Sequence, residues 1–246
     1  MNFTRVKKKH WKATPKSDEA GAGEGVPEEA IPAGGIFPKN AHFVRVNLKG
    51  AYFQGAYLEN KDFTNANLQN AFLNEANLKN AILVKTKLDH ASLVYTDLSG
   101  ANLSGASLRG AHLLNANLDH AQLEGASLKN SQLINVDFGE ADLENADLRE
   151  CNLTGANFER AFLEKADLRK ANLTNANMEG CNLSNANLKE ADLTDVSFRN
   201  AYLSLAKNLA VAQLKKAGTL FGAQMKEEVK SELYKIRPEL FEEPSW

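Results

Sequence analysis

The chain has 246 residues, with 29 Lys and Arg against 31 Asp and Glu, and a formal net charge of −2 excludes a polyanion or polycation acting through its overall charge. Two cysteines, Cys151 and Cys181, are too few for a disulfide framework and point to a reducing compartment. No apolar run approaches the length of a membrane span.

Residues 1–35 open with Arg5, Lys7, Lys8, Lys9 and Lys12 and then turn Gly-, Pro- and Glu-rich. No apolar stretch succeeds the basic run, and Asp18, Glu19, Glu24, Glu28 and Glu29 come soon after, so neither a secretory signal nor a transit peptide is expected. The segment reads as a mobile tail, and the expected compartment is the cytoplasm. Lys7-Lys8-Lys9-His10-Trp11-Lys12 joins charge to an aromatic ring and could touch nucleic acid or an anionic surface; a solvated tail is the plainer reading. Ile36, Phe37 and Pro38 are placed to plug the N-terminal end of the repeat region.

From Phe43 to Leu203 every fifth residue is apolar: twenty-six Leu, six Phe and Met178. Two residues before each stands Ala in twenty-four of thirty-three cases, and the residue between is often Asn or Asp. A helix would rotate each Leu by roughly 140° per five residues and form no stripe. A continuous strand would throw successive leucines to opposite faces. The chain must therefore bend once per unit. Ala and Leu, two apart, face inward together, and the last two residues, rich in Gly and Asn, make the turn.

Phe138, Phe158, Met178 and Phe198 recur at twenty residues, as do Thr154, Thr174 and Thr194. Like residues stacking in columns predict four units per coil and about eight coils in a rod on the order of 40 Å long. Lys61 is the one charge at an inward position; either it snorkels toward the near end or the register slips there.

The repeat is read as ending at Leu205, so the rod is assigned to 36–205 and a helical cap to 206–246. Asn208 is placed to cap a helix from about Leu209 to Ala217, stopped by Gly218, and a second helix is expected from about Ala223 to Ile236, ended by Pro238. Leu209, Leu214, Leu220, Phe221, Met225, Val229, Leu233 and Tyr234 would seal the last coil.

The units resemble the pentapeptide-repeat family, whose motif is Ala-(Asp/Asn)-Leu-x-x; Ala101-Asn102-Leu103-Ser104-Gly105 is a clean copy, and the resemblance covers Ala41 to Leu205 without insertion. It implies an all-β solenoid, a right-handed quadrilateral parallel β-helix. It also implies two kinds of partner: a type II topoisomerase (DNA gyrase) deceived by an acidic, duplex-like rod, and, through the C-terminal end of some relatives, a second copy of the chain.

The twenty-residue register defines three surfaces. One face carries the basic ladder Arg109, Lys129, Arg149, Arg169 and Lys189, an anion-binding stripe unless Asp147 and Asp167 offset it. Its neighbour carries an acidic surface of Glu124, Asp142, Glu144 and Glu164. A third presents Tyr52, Phe72, Val94, Leu114 and Ile134, with Tyr95 at the corner, a candidate partner surface unless the N-terminal segment covers it. Net charge is +1 over 41–135 (8 basic, 7 acidic) and −6 over 136–205 (7 basic, 13 acidic), weak for a DNA mimic.

No catalytic, cofactor or metal site is read. The five histidines share no column, Cys151 and Cys181 face opposite inner walls, and a column of Asp97, Asn117, Asp137, Asn157 and Asn177 reads as a hydrogen-bonding ladder rather than a cation site. The expectation is a non-enzymatic scaffold that binds an unidentified protein through a flat face, without a small-molecule substrate, with nucleic acid disfavoured and a homodimer through an end or the apolar face left open. The alternative is the gyrase-binding mimic.

Overall fold

A computed structural model of the protein describes residue 41 and residues 43–243. The tail, its Lys7–Lys12 run and the Ile36–Pro38 plug lie outside the described residues.

The five-residue logic is explained by where each backbone amide goes. In the unit 67–71, Asn67 N donates to Val46 O one coil earlier (3.0 Å), while Leu68 N and Asn70 N donate to Lys87 O (2.7 Å) and Asp89 O (3.0 Å) one coil later. Ala71 N closes the turn onto Leu68 O (3.0 Å). The fifth amide, Gln69 N, is taken by the side chain of Asn67, whose Oδ1 lies at 3.1 Å. The Asn or Asp between Ala and Leu therefore caps its own turn, as it does at Asp62, Asn102, Asp142 and Asn182. At two units that lack it, a side chain one coil earlier substitutes: Asn74 Oδ1 accepts Val94 N (2.9 Å) and Asp89 Oδ1 accepts Arg109 N (3.1 Å).

Parallel bridges join each capping position to its equivalent twenty residues on, from Asn47–Asn67 to Asn187–Lys207. Four flat faces result, with the inward Ala and Leu layers almost wholly buried from Leu48 to Ala201. Burying a Leu contributes about 1.5–3 kcal/mol, so this dry column dominates the fold. Phe138 and Phe158 stack at 4.9 Å and 9° on one wall, and Phe43 and Phe63 at 4.5 Å and 11° on another. From Arg45 to Asn200 the last residue of each unit is left-handed (Asn60 φ 58°, Tyr95 φ 57°, Gly100 φ 65°), which is why Asn and Gly are common there.

Polar residues at inward positions are satisfied by one device. Thr86 Oγ1, Thr96 Oγ1, Ser131 Oγ and Cys151 Sγ each donate to the carbonyl 23 residues earlier: Phe63, Leu73, Leu108 and Leu128, at 2.8, 2.8, 2.6 and 2.9 Å. Lys61 keeps register, its carbonyl accepting Ile82 N at 2.9 Å, and its side chain is only half buried beneath Ala41. The register does not slip.

The C-terminal region departs from expectation. The first helix is only α1 (Val211–Leu214), and Asn208 does not cap it. Gln213 anchors this turn: its Oε1 accepts Ala210 N (3.1 Å), and its Nε2 donates to the carbonyls of Leu188 (2.8 Å) and Ala191 (2.9 Å) on the open coil edge. The chain then rejoins the sheet, with bridges Ser197–Thr219 and Tyr202–Gln224 at a spacing of 22 instead of twenty. Leu220 is buried and Gly222 turns at φ 69°. Ala223–Met225 are thus part of the solenoid, and the second helix, α2, spans Glu227–Ile236. A 3-10 helix, Pro238–Phe241, comes next, and its Leu240 carbonyl accepts Leu220 N at 2.6 Å. Among the described residues no helix is long and apolar enough to cross a membrane.

Candidate partner-binding surface

The apolar face begins with two rings. Tyr52 and Phe72 occupy capping positions on adjacent coils and stack at 4.6 Å and 11°, while remaining 43% and 39% exposed. Neither can cap its turn as Asn would, so both forgo a local bond and present carbon to solvent. Below them the capping column becomes polar, with Ser92, His112 and Gln132, and the apolar surface shifts to the edge, where Val94, Leu114 and Ile134 lie half buried in one column. Tyr95 stands at the corner, 61% exposed and left-handed. The six residues therefore form a stacked pair, an edge and a corner along one side of the rod.

The basic ladder is largely neutralised within its own face. Arg149 Nε and Nη2 reach Asp147 at 2.7 Å each, and Nε lies 3.6 Å from Asp167. Arg169 pairs with Asp167 in the same way (Nη2–Oδ2 2.7 Å). Lys129 lies 3.4 Å from Glu150 and Lys189 3.8 Å from Glu190. Arg109 Nε donates to Ser127 Oγ at 3.2 Å. Burial pushes the Asp147 carboxyl up, but hydrogen bonds and charge from Arg149 outweigh it and hold its pKa below the usual carboxylate value. Asp89 obeys the same logic. Burial opposes ionisation there, and donors from Ser107, Gln69 and the Arg109 amide overcome it.

On the acidic face Lys165 Nζ bridges Glu144 (3.0 Å) and Glu164 (3.5 Å), whereas Glu124 is exposed and has no Lys or Arg nitrogen within 4.0 Å among the described residues. The Asn/Asp column forms a ladder over its last three members: Asn157 Nδ2 donates to Asp137 Oδ1 (2.8 Å) and Asn177 Nδ2 to Asn157 Oδ1 (2.9 Å). Among the described residues no three His, Cys, Asp or Glu side chains are grouped to hold a metal. His120 lies 3.6 Å from both Asp119 and Glu140. The two cysteines are free and buried.

On the repeat faces, sequence reasoning overlooked four further exposed apolar side chains at capping positions: Tyr57 (60%), Ile82 (41%), Phe162 (53%) and Tyr202 (47%). Each occupies a capping position, so each was visible as a break in the Asn/Asp column.

A family model described as pentapeptide repeats (8 copies) matches residues 131–169 and 166–204, and one described as a pentapeptide repeat region matches residues 56–133. The chain is similar to HetL, a pentapeptide repeat protein involved in heterocyst differentiation regulation from the cyanobacterium Nostoc sp. strain PCC 7120. The identity is 30%, over 74% of this chain and 90% of HetL, with a TM-score of 0.53. A pentapeptide repeat protein from the Arabidopsis thaliana thylakoid lumen is 38% identical over 42% of this chain and 68% of its own, with a TM-score of 0.28. QnrB1, a plasmid-mediated fluoroquinolone resistance protein, is 19% identical over 77% of this chain and 91% of its own, with a TM-score of 0.41. No curated protein matches. The likeness to HetL carries the fold, a right-handed quadrilateral β-helix.

Proposed function

The chain belongs to the pentapeptide-repeat family, and on that footing we propose that it is a non-catalytic scaffold binding a protein partner through its apolar face. The observation that carries this reading is the half-exposed Tyr52–Phe72 stack, continued by Val94, Leu114 and Ile134. Aromatic rings held rigid on a flat sheet lose little entropy when covered, which suits them as anchors. Tyr95 at the corner enlarges the same surface.

The anion-binding reading of Arg109, Lys129, Arg149, Arg169 and Lys189 has less support, because four of the five are within reach of carboxylates. The gyrase-directed mimic is likewise disfavoured: Lys165 sits between Glu144 and Glu164 and interrupts the acidic surface. Two free core thiols favour a reducing compartment, and the cytoplasm is the proposed location.

The test replaces Tyr52 and Phe72 by Asn, the residue the repeat itself uses at those positions. Affinity capture from the native host with the unaltered chain should yield a partner that the Y52N/F72N variant loses by about tenfold or more. An unchanged set of bound proteins overturns the reading. Protection of a type II topoisomerase in a supercoiling assay would instead favour the mimic.

A further inference from the structure

Phe162 is an exposed ring in the middle of the acidic face. It bridges Asp142 on one side and Asn182 on the other, in a column where Asn or Asp caps the turn. Phe162 gives the Glu164 amide no such cap. The ring floors a shallow depression lined by Glu140, Asp142, Glu144 and Glu164, with Glu124 on the coil before it. Against these five carboxylates the immediate surroundings supply Arg160 and Lys165. An apolar centre ringed by negative charge suits a cationic segment that carries an aromatic residue.

The chain contains one such segment. Residues 1–17 hold six Lys or Arg, no Asp or Glu, and Trp11 beside Lys12. The chain enters the solenoid on this same face: Ala41 and Phe43 occupy the inner positions one coil before Lys61 and Phe63, and Asp62 of that unit bridges Ile82 of the acidic face. From Ala41 to the Phe162 unit is six coils, roughly 29 Å at about 4.8 Å per coil. The stretch between Lys12 and Ala41 could span up to about 90 Å at about 3.3 Å per residue. Tethering raises the local concentration of the segment to about the millimolar range, which favours it over a free competitor.

We propose that the basic N-terminal segment Arg5–Lys12 docks on the acidic face of its own chain, Trp11 against Phe162 and its lysines toward Glu124, Glu144 and Glu164. This reading is independent of the apolar-face proposal, since it uses a different side of the rod.

The test uses the full chain carrying W246F, which leaves Trp11 as the sole tryptophan. A mixture of 14N- and 15N-labelled chains is treated with a carbodiimide, and Lys–Glu links are mapped by mass spectrometry. Links from Lys7, Lys8, Lys9 or Lys12 to Glu124, Glu144 or Glu164 are expected within single-isotope chains. F162N, which restores the residue found at Asn102 and Asn182, should keep the fold. It should reduce those links about fivefold and raise acrylamide quenching of Trp11. Salt at 0.5 M should act in the same direction. Mixed-isotope links alone would assign the surface to a second copy and overturn the proposal. So would links spread evenly over Glu159, Glu179 and Glu190, or Trp11 quenching indifferent to F162N.

Discussion

Asp147 holds Arg149, two residues on, by three bonds at once: Oδ1 accepts the backbone N–H (3.2 Å) and Nε (2.7 Å), and Oδ2 accepts Nη2 (2.7 Å). The carboxylate is thus both turn cap and counter-ion, and its pKa lies below the ordinary value despite partial burial. A depressed carboxyl stabilises the fold above its unfolded pKa, about 3.9, and that contribution disappears as pH falls through the folded value. Asp147→Asn keeps the cap and removes the charge. The variant should be slightly less stable than the unaltered chain at pH 7, and the difference should narrow steadily as pH falls below about 3.9, as chemical denaturation at each pH would show.

Thr96 tests how the core tolerates polarity. Its hydroxyl bonds to Leu73 O, which also accepts Ala76 N at 3.1 Å, and Val136 and Val196 occupy the same inner wall. Thr96→Val should therefore cost about 1 kcal/mol or less in urea unfolding. Ala116→Asp, one coil on, buries a carboxylate without a partner and should cost several kcal/mol or abolish folding.

Tyr95 is a bulky residue in the left-handed region, succeeded in its corner column by Asn115 (φ 55°) and Asn135 (φ 53°). Tyr95→Asn should raise stability by about 0.5–1 kcal/mol in thermal unfolding. If Tyr95 belongs to the partner surface, the same variant should lose captured partner while gaining stability, a combination that misfolding does not produce.

Burial pushes the Cys151 thiol up to about 12, and complete burial raises that of Cys181 as well. A raised thiol pKa means that above about pH 8.5 the unfolded chain releases protons that the folded chain retains, so stability falls as pH rises. Each thiol contributes a slope of up to about 1.4 kcal/mol per pH unit between its two values. The C151A/C181A variant should lack that part of the alkaline decline, measured as the difference in urea midpoint between pH 8 and pH 10.

The inward Leu and Ala positions and the period of four units were legible because each depends only on spacing: Phe138 stacks on Phe158 as the twenty-residue recurrence requires. The role of Asn and Asp was not legible, because the cap depends on the turn geometry that brings Asn67 Oδ1 onto Gln69 N. Spacing likewise placed Arg149 and Arg169 in one column but could not show each folding back onto its own unit's aspartate. Past Leu205 the signal is present but disguised. Leu220 and Met225 are five apart, Ala223 stands two before Met225, and Gly222 turns between them. A two-residue phase shift across α1 hides the resumption, and Leu209 and Leu214 read as the start of a longer helix.

Because most units present Ala and Leu to the axis, the interior is largely indifferent to which unit occupies which side. Deleting five residues would leave the buried column unbroken yet rotate everything downstream by a quarter turn, carrying Glu144 and Glu164 under a different set of upstream neighbours. Ten would exchange opposite sides; only twenty, one full circuit such as Asn102 to Gln122, would shorten the rod and leave each surface in line. Insertions and deletions in this chain are thus a gearing mechanism, able to re-aim whole surfaces while the core goes on packing as before.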